Sequence, residues 1–320
     1  MKLRIGPSFE LRFDSNSSRA ISFGRNVSLW DLATRKRMLR AHPLQHPSHA
    51  RWSPTGDRIA LKSTSGEMVL LGADNLEPIA QIQTKAAGEG SSVAFSPSGD
   101  RLLDGSWDGI LTTHDLHSRE RRLEAQFPDT MITSIEPSPS GRFAAVVLQL
   151  KHSAAQVTGP RQSVCLAQWA PSELTVHRLE VDIDGVKASA FDYTESRLAV
   201  ARRKAGGHGD CIEIIELAEK RVVASAGCQL SPNGSSIAWS PDGRFIAAVE
   251  DDGFRFYKAF QLQPVAFLEF HYASHVEFSA DGKYVALGAW SGGEIRLVEA
   301  VLPKSAATSI DRPSQLPPAK

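Results

Sequence analysis

One hairpin pattern recurs seven times along the chain and constrains its fold more than any other feature. Residues 236–249, SIAWSPDGRFIAAV, show it most clearly. A short alternating run leads into a turn of Pro, Asp and Gly, and a basic residue and a second apolar run follow, which is the local signature of a β-hairpin. The copies align on the polar residue that ends the first strand, which we call the anchor: Asp14, Ser53, Ser96, Ser138, Asp192, Ser240 and Ser279.

The surroundings of the anchors repeat as well. An aromatic residue precedes six of the seven anchors, and a cation follows each anchor by four or five positions. These cations are Arg19, Arg58, Arg101, Arg142, Arg197, Arg244 and Lys283. Neighbouring anchors are 39 to 54 residues apart, which is close to the period of about 40–45 residues of four-stranded propeller blades. The sequence therefore predicts an all-β, seven-bladed β-propeller of four-stranded antiparallel blades over residues 1–302.

Two copies carry the marks of a known repeat family. The third copy, Arg101–Leu116, contains the turn SWDG and a closing His-Asp pair, and the first copy, Val27–Leu32, ends on Trp-Asp itself. Both resemble WD40 repeats, in which a Ser-x-Asp-Gly turn leads to a closing Trp-Asp pair. The sixth copy is also similar to the propeller repeats of TolB-type proteins. The resemblance extends over the repeat region and implies a WD40-like β-propeller, a fold whose members mostly bind protein partners.

Charge and hydropathy exclude several classes of function. Lys and Arg number 36 and so do Asp and Glu, whereas nucleic-acid and acidic-membrane binders need surplus positive charge. No apolar run approaches the ~18 residues of a membrane-spanning helix, and the first residues lack the apolar core of a signal peptide. Cys165, Cys211 and Cys228 have no disulfide-framework spacing, which favours reduced thiols. We expect a cytoplasmic protein and a monomeric propeller.

The two ends of the repeat region complement each other. The seventh copy has three good strands and is followed by a Pro-rich segment, whereas residues 2–5 form a spare strand before the first copy. We expect residues 2–5 to complete blade seven, because this pairing would remove two open sheet edges at once. Residues 306–310 are the rival closing strand. Residues 303–320 form a Pro-rich tail, which we expect to be disordered from about Asp311 onward.

Antiparallel connectivity assigns each loop to one face of the disc. If strands a to d run outward from the axis, the b–c and d–a loops share one face and the a–b and c–d turns share the other. The longest insertions, 149–163 and 202–210, are b–c loops, and 41–48 and 84–91 are d–a loops. All four fall on the b–c/d–a face, and insertions that gather on one face mark the binding side of a repeat protein.

Seven residues on the b–c/d–a face are candidates for contact with a partner. Trp107 and Trp290 lie at b–c turns, and five polar residues lie in the long loops: His152, Arg202, Arg203, Lys204 and His208. Tryptophan is enriched at binding hot spots, and the basic run suits an acidic partner. The alternatives stay open, because either tryptophan can be ordinary edge core and the loop residues can simply be solvated. The ring of cations after the anchors is likewise either functional or a set of solvated side chains beside turns.

The chain shows little sign of a catalytic or metal site. His42, His46 and His49 cluster, but no Cys or carboxylate completes a zinc set, so we interpret them as solvated loop residues. Cys228 falls in a predicted d–a loop, and the sequence shows no base for it. We therefore predict a non-catalytic protein-interaction module without cofactor or metal, either a scaffold, an adaptor or an inhibitor or immunity-type binding protein. The alternative is a propeller hydrolase or lyase with its site over the central channel.

Overall fold

The computed structural model describes residues 2–82, 90–151, 164–170, 173–181, 183–203, 209–232 and 234–302, and its strands form seven antiparallel sheets of four. Each sheet is one blade, which confirms the predicted all-β, seven-bladed propeller. In six blades the strands lie in chain order, and they are named a to d from the axis outward. Among the described residues, helical structure is limited to a 3-10 turn at Val298–Ala300.

The strand bounds follow the repeat, blade by blade. Blade one has β2 (Glu10–Phe13), β3 (Arg19–Phe23), β4 (Val27–Asp31) and β5 (Lys36–Ala41), and blade two has β6 (Pro47–Trp52), β7 (Arg58–Ser63), β8 (Met68–Gly72) and β9 (Pro78–Ile82). Blade three has β10 (Gly90–Phe95), β11 (Arg101–Ser106), β12 (Ile110–Asp115) and β13 (Arg121–Gln126), and blade four has β14 (Thr130–Pro137), β15 (Phe143–Leu150), β16 (Val164–Trp169) and β17 (Leu174–Arg178).

The remaining blades keep the same order. Blade five has β18 (Val186–Phe191), β19 (Arg197–Arg203), β20 (Asp210–Glu216) and β21 (Arg221–Cys228), and blade six has β22 (Ile237–Trp239), β23 (Phe245–Glu250), β24 (Gly253–Lys258) and β25 (Gln263–Glu269). Blade seven has β26 (Ala273–Phe278), β27 (Tyr284–Ala289), β28 (Glu294–Leu297) and β1 (Lys2–Arg4). The a strands of successive blades contact each other around the whole ring, including β26 with β2.

The N-terminal strand closes the ring, as predicted. β1 pairs antiparallel with β28, with Leu3 opposite Ile295, and the Ile5 N–H donates to the Gly293 carbonyl at 2.8 Å. Leu3 is buried with Leu11 of blade one and Tyr284 of blade seven. The first strand of the chain therefore joins the last blade in sequence to the first. The rival closing strand, residues 306–310, and the Pro-rich tail lie outside the described residues.

Each anchor ties its own hairpin together. In all seven blades the anchor side chain accepts the main-chain N–H five residues later, at 2.8 to 3.1 Å. The third residue after each anchor has a left-handed φ of 55 to 75°, and five of these residues are glycine, which adopts that conformation without a steric penalty. The two exceptions, Ser17 and Glu195, accept main-chain N–H groups from the turn of the preceding blade.

The cations that follow the anchors connect neighbouring blades. Arg19 donates to the Gly56 carbonyl of blade two at 2.7 Å and lies 5.0 Å from the Trp52 ring, and Arg58 donates to the Gly99 carbonyl of blade three at 3.0 Å. Two more cation–ring contacts cross between blades, Arg101 over Trp169 and Arg197 over Phe260. Arg19 and Arg58 thus hold neighbouring a–b turns together, and Arg101 and Arg197 contact rings at the c–d turns of the next blade. The interpretation of the cation ring as solvated is therefore wrong for these four side chains.

Shortening one buried side chain of β1 tests the closure. Leu3→Ala should lower the free energy of unfolding by about 2–4 kcal/mol, because it opens a cavity at the seam between blades seven and one. Arg4→Ala, on the exposed side of the same strand, is the matched control and should change stability by less than about 0.5 kcal/mol. Chemical denaturation measures both, and equal effects of the two changes would show that β1 does not hold the seam.

Candidate functional site

A cavity of about 510 Å³ follows the propeller axis. At one end it is lined by Phe9, Lys187 and Ser235, which lie at the start of a strands, and at the other by Pro54 and Tyr193 of the a–b turns. We call the end that opens on the b–c/d–a face the cup. Besides Lys187 and Ser235, the cup is lined by Glu10, His49, Ser134 and His275.

Charged side chains fill one part of the cavity wall in a regular way. Two positions before the anchor, blades one, two, four and seven carry a charged residue, whereas blades three, five and six carry alanine. Four positions before it, blades one, two and seven carry Glu or His, whereas the other four carry serine or alanine. These charged and histidine residues are Glu10, Arg12, His49, Arg51, Glu136, His275 and Glu277, and all seven line the cavity. The cavity therefore has one side lined by charged residues and another lined mostly by small, neutral residues.

Ion pairs among these residues cross the axis. Arg12 of blade one pairs with Glu277 of blade seven at 2.7 Å and lies 3.9 Å from Glu136 of blade four. Arg51 of blade two binds both carboxylate oxygens of Glu136, at 2.9 and 3.2 Å. Arg12 also binds Glu10 of its own strand. Four blades are thus linked through their charges at the floor of the cup.

The network keeps its innermost pair ionised. Burial opposes the charge of Glu10, but the charge of Arg12 and a hydrogen bond from His49 outweigh it and hold the pKa of Glu10 well below its ordinary value. Burial likewise opposes the charge of Arg12, while Glu10, Glu277 and Glu136 raise the pKa of Arg12 above its ordinary value. Burial raises the pKa of Glu277 despite Arg12. An ion pair this deep stays charged because each partner stabilises the other.

His275 is held neutral at the seam of the ring. Burial, followed by the charge of Arg12, lowers the pKa of His275 well below its ordinary value. Its Nδ1 accepts the Leu11 N–H of blade one at 3.5 Å, and its Nε2 lies 3.8 Å from Glu10. His275 therefore works as a neutral hydrogen-bonding group between blades seven and one.

The opposite wall of the cup has one cation and several hydroxyls. Lys187 occupies a β-bulge at the start of the a strand of blade five, and Ser134 of blade four and Ser235 of blade six line the cup on either side of it. Burial and the nearby Arg203 lower the pKa of Lys187. Ser189, two residues along the same strand, is buried and its hydroxyl has no hydrogen-bond partner among the described residues.

Aromatic side chains border the cup on the b–c/d–a face. Trp290 is 55% exposed, its ring centroid lies 4.8 Å from that of Phe9, and its N–H donates to the carbonyl of Tyr272, which is 59% exposed. Trp107, at the b–c turn of blade three, is also exposed. Both tryptophans predicted as partner contacts are therefore accessible on the predicted face. We call Phe9, Tyr272 and Trp290 the aromatic cluster.

The predicted basic contacts are placed differently from the tryptophans. Arg202 and Arg203 lie in β19 rather than in the loop, so the prediction of a loop over 202–210 is wrong at both ends. Arg202 is mostly buried and pairs with Glu213 and Asp184, whereas Arg203 is exposed and pairs with Asp210. The other three predicted contacts, His152, Lys204 and His208, lie outside the described residues.

Two expectations about single residues are corrected. His49, expected to be a solvated loop residue, lies in β6 and faces Glu10, with 3.4 Å between Nδ1 and the carboxylate. Cys228, expected in a d–a loop, ends β21 and is partly buried. Burial, followed by the charge of Glu250, raises the pKa of Cys228 to about 12. A thiol with so high a pKa is a poor nucleophile at neutral pH.

Sequence reasoning missed the charged side of the cavity. The signal was present, since Arg12, Arg51, Glu136 and Glu277 share one phase of the repeat, two residues before the anchor. Among the described residues, no group of three or more His, Cys, Asp or Glu side chains is placed to hold a metal ion. No helix of the described chain has the length and apolar character to cross a membrane.

Comparison with known proteins agrees with the architecture. Residues 89–115 match the model of the WD domain, G-beta repeat, and no curated protein is significantly similar to the chain in sequence. The chain resembles the β-propeller domain of Cps50 (Swd1) from Myceliophteria thermophila, with a TM-score of 0.73 and 13% identity over 93% of this chain and 100% of that one.

Two further solved structures are similar over nearly the whole chain. U3-55K has a TM-score of 0.72 and 12% identity, over 93% of this chain and 98% of that one. Kuenenia stuttgartiensis hydrazine synthase has a TM-score of 0.72 and 15% identity, over 92% of this chain and 96% of that one. At these identities the likeness shows the fold alone.

The neutral state of His275 makes stability depend on pH. Its folded pKa lies below its unfolded value of about 6.5, so the unfolded chain gains a proton that the folded chain does not, and folding weakens as pH falls below that value. His275→Gln should therefore reduce the loss of unfolding free energy between about pH 7.5 and 5.5. Denaturation at both pH values measures it, with His117→Gln, at an exposed turn, as control. The same loss in wild type and His275→Gln would contradict a neutral His275.

Proposed function

We propose that this WD40-like β-propeller is a non-catalytic protein-interaction module whose partners dock on the b–c/d–a face. The observation that carries the proposal is the aromatic cluster, with Trp290 and Tyr272 exposed beside the mouth of the cup. Large aromatic side chains that stay exposed on a rigid scaffold supply apolar contact area to a partner at low entropic cost. A seven-bladed disc holds such groups in fixed positions because closed sheets leave few free edges.

The contacts inside the cavity also favour binding over catalysis. Arg12 and Arg51 are saturated by carboxylates of other strands, so neither is free to stabilise a developing negative charge on a substrate. Among the described residues, neither His49 nor His275 hydrogen-bonds a serine or threonine hydroxyl, which a nucleophile and its base would require. The ion pairs stabilise the axis and leave the rim to meet a partner.

The two faces differ in how their aromatic residues are held. On the a–b/c–d face, the half-exposed ring of Phe260 has the guanidinium of Arg197 5.0 Å from its centroid, and the half-exposed Tyr193 lies against Gly243 of the next blade. On the b–c/d–a face, the ring of Trp290 contacts Phe9, which itself lines the cavity. At the aromatic cluster, apolar surface therefore runs from the exposed ring of Trp290 to Phe9 at the edge of the cup.

Paired aromatic substitutions test the choice of face. Trp107→Ala with Trp290→Ala should reduce recovery of specific partners in affinity purification from the native cell, because truncating a hot-spot aromatic costs about 2 kcal/mol or more of binding free energy. The matched control is Tyr193→Ala with Phe260→Ala, which removes aromatic residues of similar exposure from the opposite face.

The comparison has a defined readout. Quantitative mass spectrometry of both double variants and the wild type identifies partners lost from one variant and kept by the other, and unchanged melting temperatures show that each variant folds. Partners lost only with the control pair would place docking on the a–b/c–d face and overturn the proposal.

A further inference from the structure

The cup contains a cation that makes no direct ion pair with a described residue. Lys187 has no hydrogen bond or ion pair with any described residue, although it lines the cavity and is half-buried. The nearest acidic group on its own blade, Asp210, is already engaged, since it pairs with Arg203 at 2.9 Å and accepts the Leu230 N–H at 2.9 Å. Asp210 attracts Lys187 only at longer range, and burial together with Arg203 outweighs that attraction and lowers the pKa of Lys187, so its charge is poorly compensated.

A second group on the same wall lacks a partner. The Ser189 hydroxyl is buried, with 4% of the residue exposed, and makes no hydrogen bond among the described residues, yet Ser189 lines the cavity. Buried hydroxyls are nearly always hydrogen-bonded, but this one is closed off from the open cavity, so it makes the wall more polar without reaching a ligand. Ser134 and Ser235 add two more hydroxyls to the same wall of the cup.

The position of Lys187 in the repeat explains why it faces the cup. Five residues before the anchor, blades two, four, five and seven each have a β-bulge. Three of these bulges carry serine or threonine, and blade five carries Lys187. A bulge redirects the side chain of the extra residue and is common next to binding sites.

We propose that the wall of the cup formed by blades four to six binds a carboxylate of a docked protein segment, with Lys187 as the charged contact and the Ser134 and Ser235 hydroxyls as hydrogen-bond donors. The inference rests on the proposed function, because the segment reaches the cup across the aromatic cluster. A carboxylate fits better than a phosphate, since its single negative charge matches Lys187, the one cation of this wall that makes no direct ion pair with a described residue, whereas a phosphate dianion would leave a buried charge uncompensated.

Two labelled peptides of equal length test the site on the full chain, one alternating Glu with Ala and the other alternating Gln with Ala. Fluorescence anisotropy should show that the wild type binds the Glu peptide about tenfold more tightly than the Gln peptide, which is the scale of one hydrogen bond to a charged group. Lys187→Met should abolish this preference, Lys187→Arg should keep most of it, and Ser134→Ala should weaken it.

Controls separate the site from general electrostatics and from misfolding. Lys36→Met removes an exposed lysine of the outer strand β5 and should keep the full preference for the Glu peptide. Equal binding of the two peptides by folded wild type, or an unchanged preference in folded Lys187→Met, would overturn the carboxylate site. If inorganic phosphate bound to this wall and the Glu peptide did not, the wall would be a phosphate site. That result would overturn the carboxylate site as well.

A failure of the carboxylate site can be distinguished from a failure of the proposed function. If the tryptophan pair is needed for partner recovery but the wild type shows no preference for the Glu peptide, docking on the b–c/d–a face stands and the carboxylate site is wrong. If the peptides are discriminated through Lys187 but the tryptophan pair is dispensable, the site stands and the aromatic cluster is not the docking surface.

Discussion

Closure between the last and first blades is the constraint on which the rest of the structure depends. The seam is held at two radii. At the outer edge of the disc, β1 adds the fourth strand to blade seven. At the axis, Glu277 accepts from Arg12 and from the Phe13 N–H, and Ser274 donates to the Phe9 carbonyl. An open ring would leave two sheet edges exposed and would lose the axial cavity, so the cup and both faces exist only because this seam is closed.

The repeat that builds the ring contains two kinds of position, those shared by all blades and those that differ between blades. Positions shared by all blades, above all the anchor and the left-handed residue three positions later, form identical turns on the a–b/c–d face. Positions that differ between blades, two and four residues before the anchor, line the axis. Shared positions thus stabilise each hairpin, and variable positions give the cavity its polarity, with ion pairs on one side and Lys187 with hydroxyls on the other.

Sequence reasoning recovered the architecture because the anchor phase is repeated seven times and hairpin chemistry is local. It failed where a residue's role depends on a neighbour from another blade. Arg19 and Arg58 were visible as members of a regular ring, but their partners, the Gly56 and Gly99 carbonyls, belong to the next blade and share no local pattern with them. Glu136 and Glu277 were missed for the same reason, because the arginine beside each of them, Arg12, belongs to another blade and comes near them only when the ring closes.

The most direct test of this account is a double-mutant cycle between Arg12 and Glu277, the pair that joins blade one to blade seven at the axis. Unfolding free energies of Arg12→Met, Glu277→Gln and the double variant would be measured by chemical denaturation. We expect the two changes to be strongly non-additive, with a coupling free energy of about 1–3 kcal/mol, since Arg12→Met leaves the buried Glu277 carboxylate without its arginine, a loss that does not arise once residue 277 is glutamine. Additive effects would contradict it, because they would mean that the seam is not held by charges across the axis.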